Sequence, residues 1–210
     1  MYTKYIKRII DFVLALFGVI ILTPLFLILA IVIKLDTPGP VFFKQKRIKK
    51  GKKMFTMYKF RTMRTDAPKD MPTHLLLHPD MHITKVGKFL RRYSLDETVQ
   101  VYHILAGSMS IIGPRPALWN QDDLIAERDK YGANDVRPGL SGLAQINGRD
   151  ELPIEVKARI DGEYVQNITF RIDSKCFVGT IKTVLKREGV VEGGTSVLEN
   201  YSEKRKEAIM

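Results

Sequence analysis

Cysteine is nearly absent: Cys176 is the one thiol in 210 residues. A single thiol excludes an internal disulfide framework and fits a reducing compartment. Its setting, CFVGTI, suits a small buried hydrophobe better than a reactive nucleophile. The common nucleotide signatures are missing too. No GxxxxGK[ST] or GxGxxG occurs, which excludes a P-loop and a Rossmann fingerprint, and there is no GxSxG elbow to present a hydrolase serine. Acid is scarce, with 23 Asp+Glu against 34 Lys+Arg and a net charge of +11. That imbalance points to anionic partners: nucleic acid, anionic lipid or phosphorylated substrates. At 45% hydrophobic and 27% charged residues the chain is not disordered, and its length suits one domain of ordinary size. Neither an internal repeat nor an inter-domain linker is visible.

What stands out is an uncharged apolar run of 22 residues, Phe12 to Ile33, long enough to cross a bilayer as a helix. It is too long for a signal-peptide core, and no small-residue cleavage site follows it. Thr23-Pro24 falls at its middle. Pro24 lacks the donor for the Ile20 carbonyl and crowds it, so a kink or break is expected there. Each half would reach only roughly 16 Å, about half a hydrocarbon core. Both flanks are basic: Lys4, Lys7 and Arg8 before, and Lys34 with the KQKRIKKGKK cluster after. A straight crossing would offend the positive-inside rule at one end. On the residues alone, a re-entrant helix-break-helix and a kinked span both stay open. Asp11, at the border, reads as interfacial.

Beyond the run, Val41 to Met63 predicts a β-hairpin around a lysine-rich turn containing Gly51. Beside a membrane segment, those lysines suit anionic headgroups better than nucleic acid. Residues 66 to 79 read as a loop. His74, His78 and His82 have the four-residue spacing of helical metal ligands, but Pro79 opposes a continuous helix and no carboxylate or cysteine joins them. Thr84 to Tyr93 predicts a short basic amphipathic helix, suited equally to a membrane interface or a solvated surface, and Phe177 to Arg187 repeats the pattern. Further helices are expected over Leu118–Tyr131 and, from near Pro153, over Leu152–Gln166. A polar tail starts at Gly189.

Two adjacent carboxylates, Asp96 and Glu97, stand in RRYSLDETVQ just after Arg91 and Arg92. The plain reading is a capping box, with Ser94 as N-cap and Glu97 returning to the Ser94 N–H. A chemical reading is also open. Neighbours on a helix point about 100° apart, so they could not share a proton but could reach two atoms of one phosphate reaction. One would act as nucleophile and the other as base or orienting group. Arg91, Arg92 and Arg115 of IIGPRPALWN carry charges that recognise phosphate oxygens. Pro114 and Pro116 would hold Arg115 in place, although PRP is equally a plain rigid loop. Asp161, Glu163 and Asp173 are candidate oxygen ligands for Mg²⁺, each also readable as a surface charge.

In order along the chain stand a Pro-broken apolar helix ending in LDTPGPVFFKQKR, then MYKFRTM, FLRRYSLDETVQ, MSIIGPRPALWNQ, PGLSGLAQINGRD and EYVQNITFRIDSKCF. Together these resemble the bacterial sugar transferases, the monotopic polyprenyl-phosphate phosphoglycosyl transferases, from about residue 4 to residue 188. The length matches the small members of that family.

The resemblance implies an α+β, mainly helical fold. It comprises a re-entrant membrane helix over 1–33 broken at Thr23-Pro24, a catalytic domain over 34–188 with a small hairpin and interfacial amphipathic helices, and a tail over 189–210. It implies transfer of a sugar 1-phosphate from a UDP-sugar to polyprenyl (undecaprenyl) phosphate, releasing UMP and initiating exopolysaccharide, capsule or glycan assembly. Asp96 would be the nucleophile, forming an aspartyl-phosphosugar, and Glu97 the base for the lipid phosphate. Arg91 and Arg115, with Lys59 and Arg61 of MYKFRTM, would bind substrate phosphate. The cofactor would be Mg²⁺ near Asp96, with Asp173 as a second ligand. Partners would be membrane lipids and downstream glycosyltransferases, with no nucleic acid, at the bacterial plasma membrane facing the cytoplasm. The family usually has DELPQ and TGWAQ where this chain has DETVQ and SGLAQ, and Leu143 in place of the usual Trp blurs the choice of sugar. Outside enzymes, the alternative is a membrane-anchored basic module that binds anionic lipid or nucleic acid.

Overall fold

In the computed structural model, residues 1–68, 79–148 and 152–186 are described. His74, His78 and the tail beyond 189 lie outside them. The apolar run forms α1, Lys7–Asp36, preceded by a π-helical turn over Tyr2–Ile6. A 30-residue helix is about 45 Å long. It does not end at Pro24, as the expected break would require. The Thr23 hydroxyl donates to the Val19 carbonyl (2.7 Å), one residue before the Ile20 carbonyl whose usual donor Pro24 lacks. Losing one bond costs less than ending a helix that packs on the rest of the protein through both halves.

That packing follows a single stripe. Asp11, Ala15, Phe26, Leu29 and Ile33 are buried at helical spacing, and Val19 and Leu22 fill the gap between them. The apolar members join Met57, Phe60, Leu90, Val99, Ile104 and Met109 in the main core. Phe26 contacts the Phe60 and Tyr102 rings, at 5.5 and 6.0 Å between centroids. Burying a side chain such as Phe26 contributes about 1.5–3 kcal/mol. The opposite face, including Ile9, Phe17, Ile20, Ile21, Leu27 and Ile31, is exposed. Asp11 is not interfacial. At 3% exposure it accepts from the Ser110 hydroxyl (2.7 Å) and the Ile111 N–H (3.1 Å).

The hairpin is as expected. β1, Phe42–Lys49, pairs antiparallel with β2, Lys53–Phe60, in register from Phe42↔Phe60 to Lys49↔Lys53. The turn takes left-handed backbone at Gly51 (φ 69°). Adjacent strand residues face opposite ways, so Phe60 enters the core while Lys59 faces the acidic pair. α2, Lys85–Arg92, follows, with the Thr84 hydroxyl accepting from Gly87 N–H (2.9 Å). Gly87 is required there, because a Cβ would fall 2.0 Å from the Thr62 carbonyl oxygen. The chain then runs through a 3₁₀ segment, Leu95–Gln100, into α3, Val101–Leu105.

The second half holds β3 (Ser110–Ile112), α4 (Asp122–Asp129), β4 (Gly139–Ser141), α5 (Leu143–Ile146), α6 (Ile154–Gln166) and α7 (Phe170–Lys186). β3 and β4 form a short parallel pair that the sequence reading missed. α4 is shorter than expected, because Leu118 is fully buried, forms a bridge with Arg47, and has its N–H capped by the Gln121 side chain (2.8 Å). α7 begins seven residues before the amphipathic stretch that announced it. Cys176 is buried on α7, as its setting suggested, and burial pushes its thiol up to about 11.

Candidate active site

The expected capping box is not formed. Ser94 adopts left-handed backbone (φ 53°) and makes no side-chain cap, a strained geometry for a non-glycine residue. The Glu97 side chain turns away to two cations. Lys59 Nζ donates to its Oε1 at 2.6 Å, Arg115 Nη2 to the same oxygen at 2.6 Å, and Arg115 Nη1 to Oε2 at 3.2 Å. Ion pairing outcompetes a backbone cap in this half-buried setting, since charge-assisted bonds are roughly twice as strong as neutral ones.

Asp96 is in the opposite condition. It is 9% exposed, and its carboxylate makes no hydrogen bond to any described residue. It lines a cavity of about 440 Å³ whose rim carries Lys44, Arg47, Lys59, Arg61, Arg64 and Arg91, with Phe42, Phe43 and Phe60 as apolar walls. Glu97 and Arg115 instead line a second cavity of about 230 Å³, with Ser141, Gln145 and Thr180. The acidic pair is thus a partition, one carboxylate facing each side.

Electrostatics follow this asymmetry. Burial pushes Asp96 up to about 6; Lys59 pulls it back, the Glu97 charge adds to the rise, and Arg91 and Arg115 oppose it. Burial would raise Glu97 as well, but Arg115 and Lys59 hold it well below the usual carboxylate range. Burial lowers Lys59, and the Glu97 charge opposes that. The pair therefore keeps its labile proton on Asp96.

The arginines divide by role. Arg91 lines the larger cavity and donates from Nε to the Thr62 hydroxyl (2.8 Å). Arg115 grips Glu97. Its loop is pinned by Gly113 N–H to the Ser141 carbonyl (2.8 Å) and Gly139 N–H to the Pro114 carbonyl (2.9 Å). Arg61, expected to bind phosphate, spends its guanidinium on the end of α1. Nη1 donates to the Pro38 carbonyl (2.5 Å) and Nη2 to the Thr37 (2.6 Å) and Ile33 (3.3 Å) carbonyls, leaving the cavity lined by a committed cation.

Asp173 is not brought to Asp96. Its Oδ2 accepts from Tyr2 (2.6 Å) and Lys7 (2.7 Å), and its Oδ1 from Tyr164 (2.8 Å), and it lines neither cavity of the acidic pair. Asp161, another late carboxylate, is paired with Arg128 in the interior at 2.5 and 2.9 Å. Among the described residues no three His, Cys, Asp or Glu side chains converge as a metal site. Mg²⁺ needs only one or two carboxylates beside substrate phosphates. Asp96, with unclaimed lone pairs toward a cavity, fits that requirement, whereas Asp173 does not.

Two supporting residues escaped the sequence reading. Arg128 donates from Nη1 to the Arg115 carbonyl (2.8 Å), so Asp161, Arg128, Arg115 and Glu97 form a relay of contacts. Gln145, of SGLAQ, is buried, and neither end of its amide has a partner among the described residues. Polar spacing alone could not reveal Arg128, which stands in an acidic stretch that reads as solvated helix.

Comparison with known proteins bears on this geometry. The chain matches the family model described as "Bacterial sugar transferase" over residues 2–187. It is 37% identical over 198 residues to the uncharacterized sugar transferase EpsL of Bacillus subtilis, covering 94% of this chain and 96% of that one. It is 35% identical over 189 residues to a UDP-N-acetylgalactosamine-undecaprenyl-phosphate N-acetylgalactosaminephosphotransferase of Aeromonas hydrophila, covering 86% and 44%. It is 36% identical over 186 residues to a UDP-glucose:undecaprenyl-phosphate glucose-1-phosphate transferase of Xanthomonas campestris, covering 85% and 38%. The chain thus spans nearly all of the first relative and less than half of the other two.

Proposed function

Since the chain belongs to the bacterial sugar transferase family, we propose that it moves a sugar 1-phosphate from a UDP-sugar to undecaprenyl phosphate through a covalent intermediate on Asp96. The observation that carries this is the unequal state of the two carboxylates: Asp96 unbonded before a basic cavity, Glu97 neutralised behind it.

In the first step an Asp96 oxygen bonds to the β-phosphorus. The bond from that phosphorus to the bridging oxygen breaks, and UMP leaves with the electron pair. In the second, an oxygen of undecaprenyl phosphate attacks the same phosphorus, and the Asp96 carboxylate is released unchanged. Lys59 and Arg91 offset the phosphate charge from the cavity wall. Glu97, held as a carboxylate well below the usual range, is a poor proton acceptor, and a lipid phosphate dianion needs none. Its work is to fix Lys59 and Arg115. Mg²⁺ would be held by Asp96 with substrate oxygens and would neutralise pyrophosphate charge.

The membrane arrangement belongs to the same proposal: the helix enters and leaves by the cytoplasmic face, bending at Pro24, with amphipathic faces such as Phe177 and Ile181 in the interface. Its support is that one body holds both ends of α1. Arg8 donates to the Ile104 and Leu105 carbonyls at 2.6 and 2.9 Å, and Arg61 caps the other end. A straight crossing would leave one end on the far side.

The test is UMP release by the detergent-solubilised protein with Mg²⁺, undecaprenyl phosphate and a panel of UDP-sugars. Intact-mass capture of the phosphosugar adduct accompanies it. Release with one donor, with adduct and release both lost in Asp96→Asn, is expected. UMP formation by Asp96→Asn would remove Asp96 as nucleophile.

A further inference from the structure

A third cavity, of about 270 Å³, lies at the foot of α1 and shares no lining residue with the two beside the acidic pair. Three separate segments deliver cations to it: Lys4, Lys7 and Arg8 from the first turns, Lys50 from the hairpin turn, and Arg137 from the loop before β4. The lining carboxylates are Asp11 and Asp135. Asp11 is already consumed by Ser110 and Ile111. Lys7 is answered by Asp173, Arg8 by two carbonyls, and Arg137 by the Gly107 carbonyl (3.0 Å). Lys4 and Lys50 have no ion pair among the described residues. Folding therefore gathers like charges round a hollow, an arrangement that self-repulsion opposes and an anion relieves.

Two of the hollow's cations lie against the first exposed apolar residues of the N-terminal turn and α1: Lys4 Nζ is 5.3 Å from the Tyr5 ring centre and the Arg8 guanidinium 5.9 Å from that of Phe12, and Ile9, Phe17 and Ile20 continue the exposed apolar face. We propose that it seats the phosphate headgroup of a resident anionic glycerophospholipid, whose acyl chains run along that face. The bound lipid fixes the foot of α1 to the body and fills no part of the reaction cavities. This rests on the reading of α1 as a membrane helix.

The experiment places the full chain in nanodiscs of phosphatidylcholine, alone or mixed with phosphatidylglycerol. Lipid retained per chain after detergent extraction is counted by native mass spectrometry, and thermal unfolding is followed in both discs. Wild type is expected to retain one phosphatidylglycerol and to unfold at higher temperature in the mixed discs. Lys4→Gln combined with Lys50→Gln should weaken that lipid's affinity about thirty-fold, the size expected for two headgroup-contacting cations. Lys46→Gln combined with Lys53→Gln removes the same charge from exposed hairpin positions outside the cavity and should leave retention unchanged. Equal loss in both variants would overturn the proposal in favour of diffuse surface electrostatics. Displacement by inorganic phosphate would overturn it in favour of a free-anion site. Failure to enter either disc would instead remove the membrane reading itself.

Discussion

Arg115 holds Glu97 through two nitrogens, Nη2 at 2.6 Å from Oε1 and Nη1 at 3.2 Å from Oε2, while the adjoining carboxylate of Asp96 is left without a hydrogen bond from any described residue. Two consecutive acids thus occupy opposite electrostatic states. Arg115→Met leaves Glu97 with Lys59 alone and is expected to destabilise the protein by about 1–3 kcal/mol, discounted because the arginine is partly exposed. Arg115→Lys should recover part of the stability and little of the rate, since a single ammonium cannot bridge both oxygens. Urea unfolding and UMP release, measured on the same variants, check both.

Asp96 carries a folded pKa of about 6 against an ordinary 3.8. Between those values the folded state binds more proton than the unfolded one, so this residue makes stability fall as pH rises through that window. Asp96→Asn should therefore stabilise the protein by about 2–3 kcal/mol above pH 7, with the gain vanishing near pH 4. On the proposed mechanism turnover needs the Asp96 carboxylate and should drop as pH falls through about 6. Glu97→Gln removes a like charge and moves that inflexion lower. Thermal melts and rate profiles across pH would show the opposing trends.

Arg128 and Asp161 are each nearly inaccessible, at 4% and 1% side-chain exposure. Removing either alone strands a buried charge, with a cost of about 3–5 kcal/mol. Replacing the pair by Met and Leu should restore most of the stability but not the activity, because the Arg115 carbonyl loses its donor. A double-mutant cycle in urea, with rates alongside, separates the two effects.

Asp173 is committed to Tyr2, Lys7 and Tyr164. Asp173→Asn is expected to lower the melting temperature while leaving the Mg²⁺ concentration for half-maximal rate unchanged. A shift in that concentration would return Asp173 to the metal.

Single cysteines at positions 4 and 53, introduced with Cys176→Ala, should both react with a membrane-impermeant maleimide from the same side of inside-out vesicles. Labelling from opposite sides would establish a crossing.

Much of this was legible in the chain. The hairpin announced itself through β-rich runs on either side of a lysine-rich turn containing Gly51, and α2 through its basic amphipathic pattern. Asp96, Glu97, Arg91 and Arg115 were marked by charge against a basic background. What the sequence hid were tertiary choices. The Ser94-x-x-Glu97 spacing satisfies a local rule, and two cations from distant segments override it. Asp11 looked interfacial because nothing nearby in sequence reveals Ser110 as its donor. Asp173 looked like a ligand because a carboxylate's partners, two tyrosines and a lysine, are invisible until the N-terminal turn, α1 and α6 meet α7. Pro24 signals a lost hydrogen bond, but whether a helix survives that loss depends on what its other residues pack against.

Arg61 stands two residues beyond Lys59, and its guanidinium clasps the carbonyls of Ile33 in the last turn of α1 and of Thr37 and Pro38 just past its end. The strand that carries a wall of the Asp96 cavity is therefore riveted directly to the end of the long apolar helix. On the proposed membrane arrangement, the depth at which the helix floats would set the altitude of the chemistry, so that a lipid phosphate and a water-borne nucleotide would meet at one fixed height above the bilayer.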